Sequence, residues 1–368
     1  MRIVVFNWRD LKHTWAGGGE VYIFEHASRW VKMGHEVTVF CGQDVRKNLP
    51  FYERIKGVKI YRKGGRYTLY LWAIWYYFTL LRKNADIVVD VENGIPFFTP
   101  LFSRKPKVCI VHHIHGKQFF YEFMLPLNYI GFFIERYIFP LIYHTTPTIA
   151  VSTTTKNQLL KIGFRSKNIE IVYNGLNIKK NKKTHIEKYS HPTILFLGRI
   201  KKYKRVDLLI SIFNTIVKKV SNTRLIIAGW GTEAFTIADL VMQNDLRRKI
   251  ALRGPVNEKE KKMLLSKSWV FVNPSIGEGW GLGVIEANAQ GTPAVSFNVS
   301  GLSESIQHGI TGFLAKDADD LVNKICIILS DKALRTQLNK AASDWAQRFD
   351  WNVSATKSLA IFKKLIKK

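Results

Sequence analysis

Two glutamates eight positions apart, Glu278 and Glu286, stand in the run NPSIGEGWGLGVIEANAQGTP (273–293). Glu278 lies among Gly277, Gly279, Gly281 and Gly283, and Glu286 falls about one turn into GVIEANAQ, which Gly291 and Pro293 end. The apolar run WVFVNPS before them stops at Pro274 and Ser275, as a buried strand does on reaching a loop. Strand, glycine-rich loop and short helix follow in that order. Such a loop lets backbone N–H groups approach a ligand closely, and the helix N-terminus behind it attracts an anion. A carboxylate in each place accepts paired hydrogen bonds from sugar hydroxyls. The chemistry suggested is recognition of a sugar joined to a phosphate. A surface turn with two solvated glutamates is the plainer alternative, and the spacing within a strand–loop–helix frame weighs against it.

Upstream, the strand TILFLGRI (193–200) leads through GRIKKYKRVD into VDLLISIFNTIVKKV, an amphipathic helix. Arg199 and Lys204 therefore sit after a strand end, where cations meet phosphate. RLIIAGWGTE (224–233), IALRGPV (250–256) and the start of PAVSFNVSGLSESIQHGITGFLA (293–315) supply further strands. The N-terminal half repeats the pattern. RIVVF (2–6) is followed by a loop containing Gly17, Gly18 and Gly19, a helix-spaced apolar set, and a second strand in HEVTVFCG. The loop does not match G-x-G-x-x-G and no acid closes the second strand, so dinucleotide binding is not expected. Strands follow in VKIYR (58–62), DIVVDVE (86–92) and KVCIVHHIHG (107–116).

His112, His113 and His115 close the last of these. His112 and His113 point to opposite sides of a strand, and no Cys or Asp cluster accompanies them, so ligand contact is expected rather than metal. Asp90, Glu92 and Asn93 end the preceding strand, where acceptor contacts can arise.

These segments together closely resemble the retaining glycosyltransferases of family 4, which have the two-domain GT-B fold. The wording PS-x-x-EGFG-x-x-x-(L/I)EA-x-A-x-G-x-P is met by 274–293, with Trp280 where Phe is commoner. GR-x4-K is met by Arg199 and Lys204, with Arg205 replacing a usual glycine. P-x-V-x-x-x-H is met from Pro106 to His112, and the family's GG-x-E loop by the glycines before Glu20. The resemblance spans nearly the whole chain and is strongest from 193 to 315. It implies an α/β protein of two Rossmann-like doubly wound domains facing a cleft. It assigns the diphosphate to Arg199, Lys204, Gly18, Gly19 and the amides around Gly279, Gly281, Leu282 and Gly283. Glu286 then takes the nucleotide ribose and Glu278 the sugar hydroxyls, while His112 contacts the donor sugar near its reacting carbon. His112, Glu278, Arg199 and Lys204 form the expected catalytic set; Glu92, Asn93 and His113 are the acceptor-side candidates. No D-x-D motif occurs near the cleft, so metal-independent transfer without a cofactor is implied.

Length and composition agree. At 368 residues and 46% apolar, the chain suits two domains. They are expected at 1–185 and 186–348, joined by the lysine-rich linker 179–191, with 349–368 packing back toward the first. Three scattered cysteines (Cys41, Cys109, Cys326) argue against a disulfide framework and for a reducing cytosol. MRIVVFNW lacks the apolar core of a signal peptide, and Leu69 to Leu81 is shorter than the roughly 20 residues of a spanning helix. The net charge of +28 attracts polyanions, and by composition alone nucleic acid and an anionic bilayer rank equally. The charge is densest in 46–66 and 179–188. The aromatic runs 66–83 and 119–143, flanked by Lys and Arg, read either as a surface resting on lipid headgroups or as ordinary helix core. Breaks are expected at Pro126, Gly131 and Pro140.

The expected function is transfer of a sugar from a nucleotide-sugar donor to a glycan or polyprenyl-linked acceptor, at the cytoplasmic face of an anionic membrane. A GT-B epimerase or phosphorylase is the alternative. A nucleic-acid-binding protein is less favoured, because no binding module is present and the aromatics sit in apolar runs.

Overall fold

The computed structural model describes residues 1–177 and 187–367. The chain divides into two compact units, Met1–Gly175 with Phe349–Lys368, and Leu176–Arg348. The boundary expected at 185/186 and the first part of the expected linker lie outside the described residues. The described end of that linker is anchored rather than free. The part-buried Lys188 ammonium donates to the carbonyls of Ser268 (2.9 Å) and Gly291 (3.1 Å) and to Thr292 Oγ1 (2.7 Å).

The first unit contains β1 (Arg2–Phe6), β2 (Glu36–Cys41), β3 (Tyr52–Ile55), β4 (Val58–Arg62), β5 (Ile87–Glu92), β6 (Lys107–Val111), β7 (Thr148–Ala150) and β8 (Ile169–Ile171). They form one sheet in the order β3-β4-β2-β1-β5-β6-β7-β8. All neighbours are parallel except the β3–β4 hairpin. The strand order reverses between β1 and β5. β1 and β5 are almost wholly buried, as strands covered on both faces must be, and their β-branched runs suit that place. β3 was hidden in the charge-dense run 46–66. Its turn, Lys56–Gly57, has φ of 47° and 84°, the left-handed pair that joins two strands with the native twist. Charged residues on this short edge strand discourage pairing with another chain.

Helix Gly18–Lys32 starts on the backbone half of a capping box, with the Gly17 N–H donating to Glu20 Oε2 at 2.7 Å. The C-terminal helix Trp351–Ile366 lies against it within this unit. Trp30 Nε1 donates to the Ala355 carbonyl and to Ser358 Oγ, both at 3.2 Å, and its ring meets Phe362 edge-on at 5.0 Å. The aromatic run 119–143 is broken at 123–126 but not at Gly131 or Pro140, contrary to expectation. Gly131 lies inside helix Leu127–Phe133, where a Cβ would come within 2.6 Å of the Phe119 ring. Pro140 follows a widened helical turn, Ile134–Ile138, at the start of the segment Phe139–Tyr143, where a missing N–H costs little.

The second unit contains β9 (Thr193–Leu197), β10 (Arg224–Ala228), β11 (Ile250–Gly254), β12 (Val270–Asn273), β13 (Ala294–Phe297) and β14 (Gly312–Ala315). They run parallel in the order β11-β10-β9-β12-β13-β14. Alternate residues of one strand feed different cores. Ile194 and Phe196 join Val270 and Val272 on one face, while Leu195 joins Phe271 and Ala294 on the other. This is the doubly wound arrangement, with the order reversing between β9 and β12.

Candidate functional site

Ligands of doubly wound sheets bind beyond the carboxyl ends of the strands where the order reverses. In the second unit those ends carry the turn after β9, with Arg199 and Lys204, and the loop after β12, with Glu278. The Lys204 ammonium and the Glu278 carboxylate close an ion pair there, both mostly buried. Asn273 Nδ2 (3.3 Å) and Ser275 Oγ (3.0 Å) donate to the same Glu278 oxygen. The Ile276 N–H binds the Tyr203 carbonyl at 3.0 Å, tying the two loops together, and the Arg199 guanidinium donates to Tyr203 Oη at 3.1 Å. Burial opposes charge on Glu278, but Lys204 and the neighbouring donors outweigh it and hold its carboxyl below the usual range. Burial likewise penalises the Lys204 ammonium, and Glu278 more than restores it. The pair stays ionised.

Arg205, in the place of the family's glycine, takes the left-handed conformation glycine would, with φ of 52°, and caps helix Val206–Lys219. Two real glycines hold the roof of this corner. A Cβ on Gly229 would lie 1.9 Å from the Gly198 carbonyl oxygen, and one on Gly231 2.0 Å from that of Ile200.

Gly279 continues the loop to Gly281, whose φ of 82° turns the chain into helix Leu282–Ala289. There a Cβ would lie 2.7 Å from Leu302 and 3.0 Å from Ser305 Oγ. The first N–H groups of that helix, at Leu282 and Gly283, have no intrahelical acceptor, the usual condition of an anion site. Trp280 turns into the core, 3% exposed. Glu286 is paired with Lys261 at 2.7 Å, and Lys261 also reaches Glu258 at 2.9 Å. Burial keeps the Glu286 carboxyl above its ordinary range, and Lys261 only partly offsets this. Lys261 was missed in the sequence because it belongs to the charge-rich helix Glu258–Lys267, without a motif.

In the first unit, Gly19 in the first turn of helix Gly18–Lys32 comes together with Asn93 and His112, just past the ends of β5 and β6. A Cβ on Gly19 would sit 3.2 Å from His112 Nε2 and 3.5 Å from Asn93 Nδ2, so the glycine admits the imidazole. Gly18 is exposed with open space beside it. His112 is buried, which drives its pKa down to about 4 and leaves it neutral at physiological pH. Its carbonyl accepts from Thr155 Oγ1 at 3.1 Å. His113 lies apart from this group of three, with Nε2 3.0 Å from Gln118 Oε1 and its ring 4.0 Å from that of His115.

Two acceptor-side expectations need correcting. Asp90 is buried and its carboxylate is spent on the N–H groups of Phe97 and Thr99 and the hydroxyls of Thr99 and Tyr143. Glu92 is fully buried and accepts from the Gly94 N–H at 2.6 Å. Neither offers surface to an acceptor, because the strand end turns both inward. Asn93 remains part-exposed and reaches Glu20 at 3.5 Å.

Residues 16–180 match the family described as Glycosyltransferase Family 4, and residues 177–345 match Glycosyl transferases group 1. An uncharacterized glycosyltransferase of Methanocaldococcus jannaschii is 27% identical over 99% of this chain and 98% of its own. The sucrose-phosphate synthase structure from Thermosynechococcus elongatus superposes with a TM-score of 0.82 at 19% identity, covering 99% of both chains. Anabaena HepE, solved with UDP and glucose, gives 0.76 at 15% identity over 99% of this chain and all of that one. The chain is a glycosyltransferase of family 4, with the GT-B fold of two Rossmann-like domains.

Proposed function

We propose that this enzyme moves a sugar, with retention of anomeric configuration, from a nucleotide-sugar donor to a lipid-linked or glycan acceptor at the cytoplasmic face of an anionic membrane. The observation that carries the donor half is the ionised Lys204–Glu278 pair at the reversal of strand order, beside the glycine-started helix. As the glycosidic bond breaks, negative charge grows on the departing nucleoside diphosphate. Fixed cations and helix N–H groups aimed at that charge lower the barrier most, and they need no reorganisation at the moment of reaction. In this reading Arg199, Lys204 and the amides at Leu282 and Gly283 take the diphosphate without a metal. Glu278 takes sugar hydroxyls and Glu286 the ribose. Neutral His112 serves the reacting end of the sugar, and Asn93 and His113 the acceptor. The bound UDP and glucose of Anabaena HepE support a nucleotide-sugar donor.

The membrane half rests on the first unit's surface. Leu71, Trp75 and Phe78 of one aromatic run are 70%, 61% and 50% exposed, and Met124, Leu125, Phe133 and Leu141 of the other are 85%, 72%, 54% and 70% exposed. The Arg66 guanidinium lies over the Phe123 ring at 4.5 Å, joining the two runs. Apolar side chains in such number beside cations suit an interfacial surface, which an ordinary helix core does not present. No helix among the described residues is long and apolar enough to cross a membrane.

Thermal unfolding of the purified protein with UDP, GDP, ADP, TDP and their common sugars, with and without EDTA, tests the donor half. A rise with one nucleotide class that survives EDTA is expected. No rise with any nucleotide in the wild type, or equal rises in Lys204→Ala and wild type, overturns the assignment.

A further inference from the structure

Away from the phosphate corner, the first unit buries a group that the transfer chemistry does not use. Glu92 at the end of β5, His115 after β6 and Glu135 in the widened turn Ile134–Ile138 each place one ligand atom within 4.8 Å of the others. Glu92 and Glu135 are 0% and 2% exposed. Both Glu135 oxygens accept peptide N–H groups, from His115 and Gly116, each at 2.6 Å. Glu92 is held through one oxygen by Gly94, and its other oxygen is buried with no partner. His115 Nδ1 is also buried without a hydrogen bond, 3.3 Å from Glu135 Oε1.

Two carboxylates lie in one dry pocket, and among the described residues neither forms an ion pair with a Lys or Arg. Something positive belongs between them. A shared proton satisfies one orphaned oxygen and leaves the imidazole nitrogen. A cation satisfies both.

We propose that Glu92, His115 and Glu135 bind a divalent transition-metal ion, Zn²⁺ or Mn²⁺, which pins the turn between β6 and the aromatic run. The imidazole suits Zn²⁺ and the two carboxylates suit either ion; the absence of thiolate from the set disfavours Cu⁺, and the imidazole disfavours Ca²⁺. Bonds of about 2.0–2.2 Å require ligand atoms about 3–3.6 Å apart, so Glu92 and His115 close inward on binding. The peptide donors on Glu135 and Glu92 then act as the outer contacts that orient metal-binding carboxylates. Part-exposed His115 gives the ion its way in. The site is structural, and the donor diphosphate does not depend on it.

The full chain, stripped with a chelator and dialysed against Zn²⁺ or Mn²⁺, is assayed for bound metal by mass spectrometry and for thermal unfolding. Wild type should retain about one equivalent and unfold at a higher temperature than its stripped form. Glu92→Gln should lose both effects, yet when stripped be at least as stable as stripped wild type, since the amide oxygen of this isostere can still accept from the Gly94 N–H. His308→Ala, on the exposed surface of the second unit, should behave as wild type. Retention of no metal by wild type, or equal retention by Glu92→Gln, overturns the proposal. The nucleotide-induced rise is read on the same samples and should persist in stripped protein, so failure of the metal site and failure of the donor site are told apart.

Discussion

Lys204 and Glu278, 74 positions apart, close one ion pair across the reversal of strand order in the second unit. Each holds the other ionised in a mostly buried corner. Replacing Lys204 by Ala leaves an uncompensated carboxylate and should cost about 3 kcal/mol at neutral pH, besides abolishing transfer. The sign follows from the shifts. Glu278, depressed, contributes stability above its unfolded value of about 4.5 and loses it as pH falls further. Lys204, raised, contributes below about 10.5 and loses it as pH rises through its folded value. Denaturant unfolding of both proteins should therefore show a gap that narrows as pH falls, beginning where the now unpaired Glu278 of the variant takes up its proton, above the ordinary carboxylate range of about 4.5. A gap that stays constant down to pH 3, or full transfer activity in the variant, contradicts the pairing.

Lys261 partly offsets the burial that raises the Glu286 carboxyl. In Lys261→Ala the carboxyl should rise further, so that nucleotide affinity weakens with falling pH sooner in the variant than in wild type. Calorimetric titration at three pH values measures this. Parallel pH profiles would remove Lys261 from the site.

Buried histidines set the acid limit of the first unit. Burial pushes His26 down to about 3 and His112 to about 4, below the unfolded value of about 6.5. The unfolded chain then binds more protons below pH 6.5, so stability falls as pH drops from 6.5 toward 4. His26→Gln can keep bonds to the Tyr22 carbonyl and Ser354, and should flatten that slope. An unchanged slope would place the acid sensitivity elsewhere.

Trp75→Glu and Phe133→Glu alter exposed side chains and should each weaken sedimentation with anionic vesicles about tenfold. Nucleotide-induced stabilisation should not change. Salt-sensitive retention on vesicles but not on DNA separates the membrane reading from one based on net charge alone. Variants that sediment like wild type would return these residues to incidental exposure.

The sequence made the second unit readable because its signals are local: glycines, strand ends and paired acids occur within single runs. Elsewhere, partners arrive from separate elements and no spacing announces them. Lys261 meets Glu286 from another helix, and Glu135 reaches His115 from a turn twenty positions on. β3 was masked because an edge strand can be as charged as a loop. Gly131 and Pro140 misled for the opposite reason. One makes room for Phe119 and the other opens a helical segment, so neither breaks the run it punctuates.

The helix Trp351–Ile366 completes the core of the first unit, where Trp30 is wholly buried and Phe362 seals it. The ribosome delivers this piece only after the second unit. The portion made first must therefore wait, with its Trp30 surface open, until the whole second unit has emerged. Chains stalled before Trp351 should be cut by protease within the first unit, and a supplied peptide spanning 349–368 should protect them. Synthesis order thus makes a late segment the checkpoint on an early one.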